Sequence, residues 1–360
     1  MIKRRVSRKV RVGNLFIGGD YPVTVQTMPT VKTTDVKAVI DTIRRCEEAG
    51  VDIVRLGVPD IESANAIKKI KAVVKTPIVA DIHFDYKLAL ETIKNGADKI
   101  RLNPGNIKEK WKIKEVVRVC KDNGIPIRVG INAGSIDRTR YPTPSPEALV
   151  SFALENVRIL EDLGFYDIVI SVKHTDVLST IKAYRMIASM CDYPLHLGVT
   201  EAGTEFKSTI KSTLGIGILL MEGIGDTIRV SLTGDPVKEV EIGVAILQQL
   251  GYKPTYIEVI SCPMCARADV DIIELANKFE EKVKNLKKKL KVAIMGCVVN
   301  GPGESKDADI GVCCGKTTSV IYKSGKIYKK VKNEEILSFL LNEIENFEQK
   351  FSTENRLPGN

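Results

Sequence analysis

The chain has 360 residues, 44% of them hydrophobic and 28% charged, the balance of a globular protein long enough for one large domain and a smaller one. Its longest apolar runs, such as "IGILL" (216–220), are too short to cross a bilayer. The basic start "MIKRRVSRKVRVGNLFIGG" has no apolar segment behind it, so a cytoplasmic protein is expected. Eight cysteines in this length exclude a disulfide framework, and the formal net charge of +9 admits an anionic ligand, an acidic partner or a plain solvated lysine surface.

From residue 20 to about 250 one pattern recurs: a short β-branched run ending in polar residues, then an amphipathic helical stretch closed by Gly. The strands are expected at "VTVQTM" (23–28), "DIVRLGV" (52–58), "PIVADIHF" (77–84), "KIRLNPG" (99–105), "PIRVGIN" (126–132), "DIVISVKH" (167–174), "LHLGVTEAG" (195–203) and "TIRVSLTG" (227–234). Eight such units over this length predict an α/β chain built as a (β/α)8 TIM-type barrel. A doubly wound open sheet is the alternative, but no Gly-rich phosphate fingerprint follows the first strand.

After residue 255 the pattern changes. "YIEVISCP" reads as a strand entering a cysteine loop, "DVDIIELANKFEEKVKNLKKKL" (269–290) as a long helix, and "KVAIMGCVVNGPGE" as a strand running into a Gly/Pro loop. "SVIYKSGKIYKKV" predicts a hairpin turning at Ser324–Gly325, and "NEEILSFLLNEIENF" a closing helix. The domains are therefore set at 1–254 for the barrel, 255–350 for a small α+β domain, and 351–360 for a disordered tail.

Barrel active sites lie at the C-terminal strand ends. Those ends carry Arg55; Asp81, His83 and Asp85; Arg101, Asn103 and Asn106; Arg128 and Asn132; Lys173 and His174; His196 and Glu201; and Arg229, Ser231 and Thr233. Five strands thus bring a cation to one ring, more than Asp81, Asp85 and Glu201 can neutralise. Any single arginine could instead pair with a carboxylate or point outward. A surplus around one ring is expensive to bury without an anion, and guanidinium groups grip phosphate bidentately. The ring predicts a small phosphorylated ligand. A divalent-metal site from Asp81, His83 and Asp85 is a weaker alternative.

Cys46, Cys120 and Cys191 fall in barrel helices or helix ends and read as small buried residues. The other five cysteines lie in the last domain: Cys262 and Cys265 in "SCPMC", Cys297 in "MGCVVNGPGE", and the adjacent Cys313 and Cys314. Structural zinc wants a second close pair of ligands, and a redox disulfide leaves Cys297 unexplained. Three thiolates with a labile fourth position suit a 4Fe–4S cluster. On the residues alone these readings stay open. Glu304, seven residues past Cys297, is either an exposed loop carboxylate or a hard, displaceable fourth ligand.

The stretches "GGDYPVTVQTM", "AGVDIVRLGVPD", "VADIHFDYKLAL", "DKIRLNPGNI", "GINAGS", "YPLHLGVTEAGT", "GIGDTIRVSLTGDP", "SCPMC" and "VAIMGCVVNGPGE" together resemble the 4-hydroxy-3-methylbut-2-enyl diphosphate synthases of the methylerythritol phosphate route. The resemblance implies a 4Fe–4S cluster held by Cys262, Cys265, Cys297 and Glu304. It implies a cyclodiphosphate substrate bound by Arg55, Arg101, Arg128, Lys173, Arg229 and Ser231, with Asn103, Asn132 and Glu201 beside the reacting carbons. Glu201 is then the expected proton donor. A homodimer and a flavodoxin or ferredoxin donor, acidic enough to use part of the positive charge, are also implied. Ala266, His174 and the Cys313–Cys314 pair depart from the residues usual in that family. A phosphate-binding barrel transferase stapled by zinc and a basic RNA-binding module with a zinc knuckle are the competing functions.

Overall fold

The computed structural model describes residues 2–82, 85–107, 109–284, 286–299 and 301–347. His83 and the tail expected to be disordered (351–360) lie outside the described residues. The chain divides into two compact units, Met1–Lys253 and Pro254–Asn360. No helix among the described residues is long and apolar enough to cross a membrane.

The first unit begins with an antiparallel hairpin, β1 (Val10–Val12) and β2 (Leu15–Ile17). Strands and helices then alternate: β3 (Thr24–Thr27), α1 (Val36–Glu48), β4 (Ile53–Gly57), α2 (Ile61–Lys71), β5 (Ile78–Asp81), α3 (Tyr86–Lys94), β6 (Lys99–Arg101), α4 (Lys110–Asn123), β7 (Ile127–Asn132), α5 (Pro146–Glu161), β8 (Ile168–Lys173), α6 (Val177–Met190), β9 (His196–Leu197), α7 (Glu205–Met221), β10 (Thr227–Ile228) and α8 (Pro236–Gln249). The eight-stranded sheet runs β8-β7-β6-β5-β4-β3-β10-β9, and a parallel bridge between Ile170 and Leu195 joins its two ends. The predicted (β/α)8 barrel is closed. β9 and β10 keep only two residues each of the longer strands expected there.

Local chemistry sets where the helices begin. Asp35, Asp60, Asp85, Ser145, Asp176 and Asp235 each accept a first-turn backbone N–H at a helix N-cap. Val54, Ile78, Ile100, Val129, Ile170 and Ile228 point outward from the strands into the core shared with the helices. At the other face of the strands, Ile53 and Val79 pack with Val12, Leu15 and Ile17 of the hairpin, an apolar plug. The remaining inward positions are strongly polar. That inversion of an ordinary barrel interior positions the site.

The second unit is a five-stranded sheet in chain order: β11 (Ile257–Ser261), β12 (Leu290–Met295), β13 (Ile310–Cys313), β14 (Thr318–Lys323) and β15 (Lys326–Lys332). The first three are parallel and the last two antiparallel. Its helices are α9 (Ile272–Val283), α10 (Gly301–Lys306) and α11 (Ile336–Glu345). Phe279, Val292, Ile294, Val312, Ile321 and Leu340 form the core. The hairpin turns at Ser324 and Gly325, both with positive φ, as expected.

Three local expectations differ. The helix read to 290 ends at Val283, because Leu290 pairs with Ile257 in the sheet and Lys288 Nζ donates to the Ile344 carbonyl at the end of α11. The segment read as a Gly/Pro loop becomes helix α10 from Gly301 onward. Cys313 ends a strand, β13, that was not anticipated.

Candidate active site

One cavity of about 100 Å³ opens at the C-terminal ends of the barrel strands. Arg55, Arg101, Arg128, Lys173 and Arg229 line it with a single carboxylate, Asp81. Asn132 and Ser231 complete its polar wall. Strand register produces the cluster: Asp81, Arg101 and Arg128 occupy aligned positions on β5, β6 and β7, and Asn132 aligns with Lys173 on β7 and β8.

The pairing leaves a surplus of positive charge. Asp81 is shared, at 3.3 Å from Arg101 Nη1 and 3.8 Å from Arg55 Nε. Arg101 Nη2 also donates to the Gly130 carbonyl at 2.6 Å. A Cβ on Gly130 would sit 2.9 Å from Arg101 Nε, so only glycine there lets the guanidinium cross β7. Arg55 otherwise meets the Met28 thioether, a weak acceptor, at 3.0–3.1 Å. Arg128 is 2% exposed, and its Nε and Nη1 have no hydrogen-bonding partner among the described residues. Burial first, then the neighbouring arginines, push Arg128 and Lys173 well below their ordinary pKa values and Arg55 to about 10.

Arg229 differs, since Glu239 holds it bidentately at 3.0 and 3.3 Å. Glu239, on the first turn of α8 and 3% exposed, also accepts from Thr27 Oγ1 at 2.8 Å and Leu232 N–H at 3.2 Å. Sequence reasoning missed it. The signal was present: Glu239, Gly243 and Ile246 share the buried stripe of α8.

Other anticipated residues fall around the cavity rather than on its wall. Asn103 exchanges both amide functions with Gly130, accepting its N–H at 2.9 Å and donating to its carbonyl at 3.0 Å, which braces the wall beneath Arg101. Glu201 is exposed on the loop after β9 with φ 51°, and its Oε1 lies 3.9 Å from where a Gly134 Cβ would stand, at the rim beside the β7 loop. His174 accepts the Asp176 N–H at 2.9 Å, and His196 is fully buried with Nδ1 3.4 Å from Thr227 Oγ1. Asp85 caps α3, accepting the Lys87 N–H, and Asp81 serves Arg55 and Arg101, while His83, the third residue of the weaker metal-site reading, lies outside the described residues.

In the second unit Cys262, Cys265 and Cys297 line a cavity of about 150 Å³. A Cβ on Gly296 would come 2.8 Å from Ile272 and 3.4 Å from Cys262 Sγ, so glycine keeps this wall open. The Gly296 N–H donates to Cys262 Sγ at 3.2 Å. Hydrogen bonds from the Arg267 backbone and side chain pull the Cys265 thiol below its ordinary pKa, toward the ligand form. Among the described residues no three His, Cys, Asp or Glu side chains gather tightly enough to hold a single ion. Separate soft thiols around one open space fit a group whose own atoms span that space, such as an iron–sulfur cluster. Glu304 is exposed one helical turn from Gly301 of the cavity wall. Cys313 and Cys314 are buried, and burial raises both thiols, Cys314 to about 11. Cys46 and Cys120 are likewise buried and raised to about 12.

Residues 7–244 match the GcpE TIM-barrel domain family, and residues 258–346 the GcpE protein C-terminal domain family. A 4-hydroxy-3-methylbut-2-en-1-yl diphosphate synthase (flavodoxin) of Caldanaerobacter subterraneus subsp. tengcongensis is 56% identical over 349 residues, covering 96% of this chain and 98% of that one. The enzyme of the same name from Clostridium perfringens is 52% identical, covering 96% and 99%. A solved structure of Plasmodium falciparum HPPK-DHPS with pterin and p-hydroxybenzoate has a TM-score of 0.51 at 13% identity, over 69% of this chain and 49% of that one, a likeness of fold alone. On these matches the chain belongs to the GcpE family, the oxidoreductases of isoprenoid biosynthesis named 4-hydroxy-3-methylbut-2-en-1-yl diphosphate synthase.

Proposed function

We propose that the chain reductively opens and dehydrates 2-C-methyl-D-erythritol 2,4-cyclodiphosphate to 4-hydroxy-3-methylbut-2-enyl diphosphate, with the barrel mouth as its substrate site. The observation that carries this reading is the single cavity in which Arg55, Arg101, Arg128, Lys173 and Arg229 face one carboxylate. The dianionic diphosphate supplies the counter-charge that Arg128 and Lys173 lack, and the planar guanidinium groups bind its oxygens in pairs. Asn132 and Ser231 add neutral hydrogen bonds, Asn103 braces Gly130, and Glu239 fixes the orientation of Arg229. As the ring opens, these cations stabilise the charge that develops on the departing phosphate oxygen. Glu201, at the rim, delivers the proton that lets the expelled hydroxyl leave as water.

Cys262, Cys265 and Cys297 are the proposed thiolate ligands of a 4Fe–4S cluster, with Glu304 as the fourth. When bound, such a cluster supplies electrons one at a time, and the reaction takes two. A carboxylate is a hard ligand on soft iron, which makes Glu304 the displaceable member of the set. The electron donor is flavodoxin or ferredoxin, and the net charge of +9 is complementary to an acidic protein of that kind. The working unit is a homodimer in the cytoplasm.

Anaerobic purification with iron, sulfide and zinc quantified, followed by turnover of the cyclodiphosphate with reduced flavodoxin, tests this reading. A brown protein with iron and sulfide in equal amounts and product formation is expected. Zinc without iron, or an iron–sulfur protein that leaves the cyclodiphosphate unchanged, overturns it.

A further inference from the structure

The inward face of β6 carries Lys99 two residues before Arg101. Lys99 is fully buried, and its Nζ has no hydrogen-bonding partner among the described residues. The groups around it come from four strands. Arg55 on β4 and Arg128 on β7 act on it as charges, and it acts in turn on the buried imidazole of His196 on β9. On β5 its register partner is Val79, and Asp81, two residues on, serves Arg55 and Arg101. No carboxylate is among the charges that act on Lys99 within the described residues.

An ammonium placed there lacks a partner among the described residues, is shut off from bulk solvent and is repelled by two guanidinium groups. Burial, then Arg128 and Arg55, accordingly hold Lys99 well below its ordinary pKa. An anion at the mouth would offset that repulsion, because its charge would lie against the same arginines that repel the ammonium. The mouth reads no such anion in Asp81 or Glu239, both already engaged.

We propose that Lys99 is the internal proton acceptor of the anion site: its amine carries no proton while the mouth lacks a phosphate and takes one from solvent when a diphosphate binds. The inference rests on the proposed reading of the mouth as a diphosphate site and adds to it a sixth, conditional cation. It explains how the barrel tolerates a buried lysine with no counter-ion: the charge exists only when the ligand does. By linkage, affinity for the diphosphate falls as pH rises between the amine's free and ligand-bound pKa values, by up to about tenfold per pH unit for one proton.

Calorimetric titration of the holoenzyme with inorganic pyrophosphate, in buffers of different ionisation enthalpy, counts the protons taken up on binding. Lys173 is also held down and contributes in both proteins, so the comparison of wild type with Lys99→Met isolates Lys99. Uptake lower in Lys99→Met by about one proton is expected. Equal uptake in the two proteins overturns the proposal while leaving the diphosphate site intact. Failure of wild type to bind pyrophosphate overturns both readings together. Should Lys99→Met not fold, lysine Cε NMR of Lys173→Met serves instead. A neutral-amine resonance that moves to the ammonium position at saturating pyrophosphate is expected there, and its absence overturns the proposal.

Discussion

At the barrel mouth the cations are fixed by strand register and by buried neighbours, whereas Cys265 and Glu304 stand exposed on a loop and a six-residue helix. The mouth is built before its ligand arrives. Arg101 is held by Asp81 and the Gly130 carbonyl, Arg229 by Glu239, and the large barrel core tolerates the repulsion that remains. The cysteine cavity is the reverse case, with three thiols bordering a space that only a bound group can tie together. On the proposed reading, ligand energy at the mouth would go into relieving charge, and at the cysteines into tying three separate thiols together. The two sites should therefore fail in opposite ways when their residues are replaced.

The largest effect is expected at the thiols. Cys297→Ser should lose most of the bound iron and nearly all turnover, because oxygen is a poor substitute for a thiolate on iron. Cys314→Ser, in the buried core beside β13, should keep its iron. Iron assays on both variants make the test, and equal loss from both would remove the distinction between ligand and core thiols.

Glu304→Ala comes next. The three thiolates should retain a more fragile cluster, with altered spin-resonance signals and a large fall in turnover. Wild-type turnover with unaltered spectra would return Glu304 to an ordinary exposed carboxylate.

Arg128 gives the sharpest contrast with the cysteines. Arg128→Ala should weaken diphosphate binding by about 2–3 kcal/mol, the loss of one partner of a desolvated charge-assisted pair. Arg128→Lys should recover only part of it, since a point charge cannot grip two oxygens. Arg128→Met should meanwhile raise the stability of the ligand-free protein by about 1 kcal/mol or more, because it removes a buried charge whose Nε and Nη1 lack hydrogen-bonding partners among the described residues. Binding titrations and thermal melts on the same variants check both signs. A destabilised Arg128→Met would show that the guanidinium is satisfied without a ligand.

The smallest effect concerns Glu239→Gln. It leaves the half-buried Arg229 against a neutral amide, and a stability loss of about 1 kcal/mol is expected, read as a lower melting temperature. Weaker diphosphate binding should accompany it as Arg229 loses its fixed orientation. A variant that melts and binds like wild type would make Glu239 a bystander.

Periodicity and residue type along the chain were enough to establish the barrel, because β-branched runs alternating with amphipathic helices have few other ways to bury their apolar faces. The inward spacing of Arg101 with Asn103, and of Arg229 with Ser231, likewise made the cationic mouth legible before any contact was known. Local pattern failed where a long-range partner decides. Leu290 leaves the helical pattern because Ile257 offers it a strand, and "GPGESK" becomes a helix packed on β13. The counter-ion of Arg229 is Glu239, from a helix whose buried stripe is read as core until the barrel closes over it. Lys99 is the clearest case. In the sequence it is a lysine at the start of a strand, ordinarily solvated, and only the closure of eight strands around it removes water, withholds a carboxylate and sets two arginines against its charge.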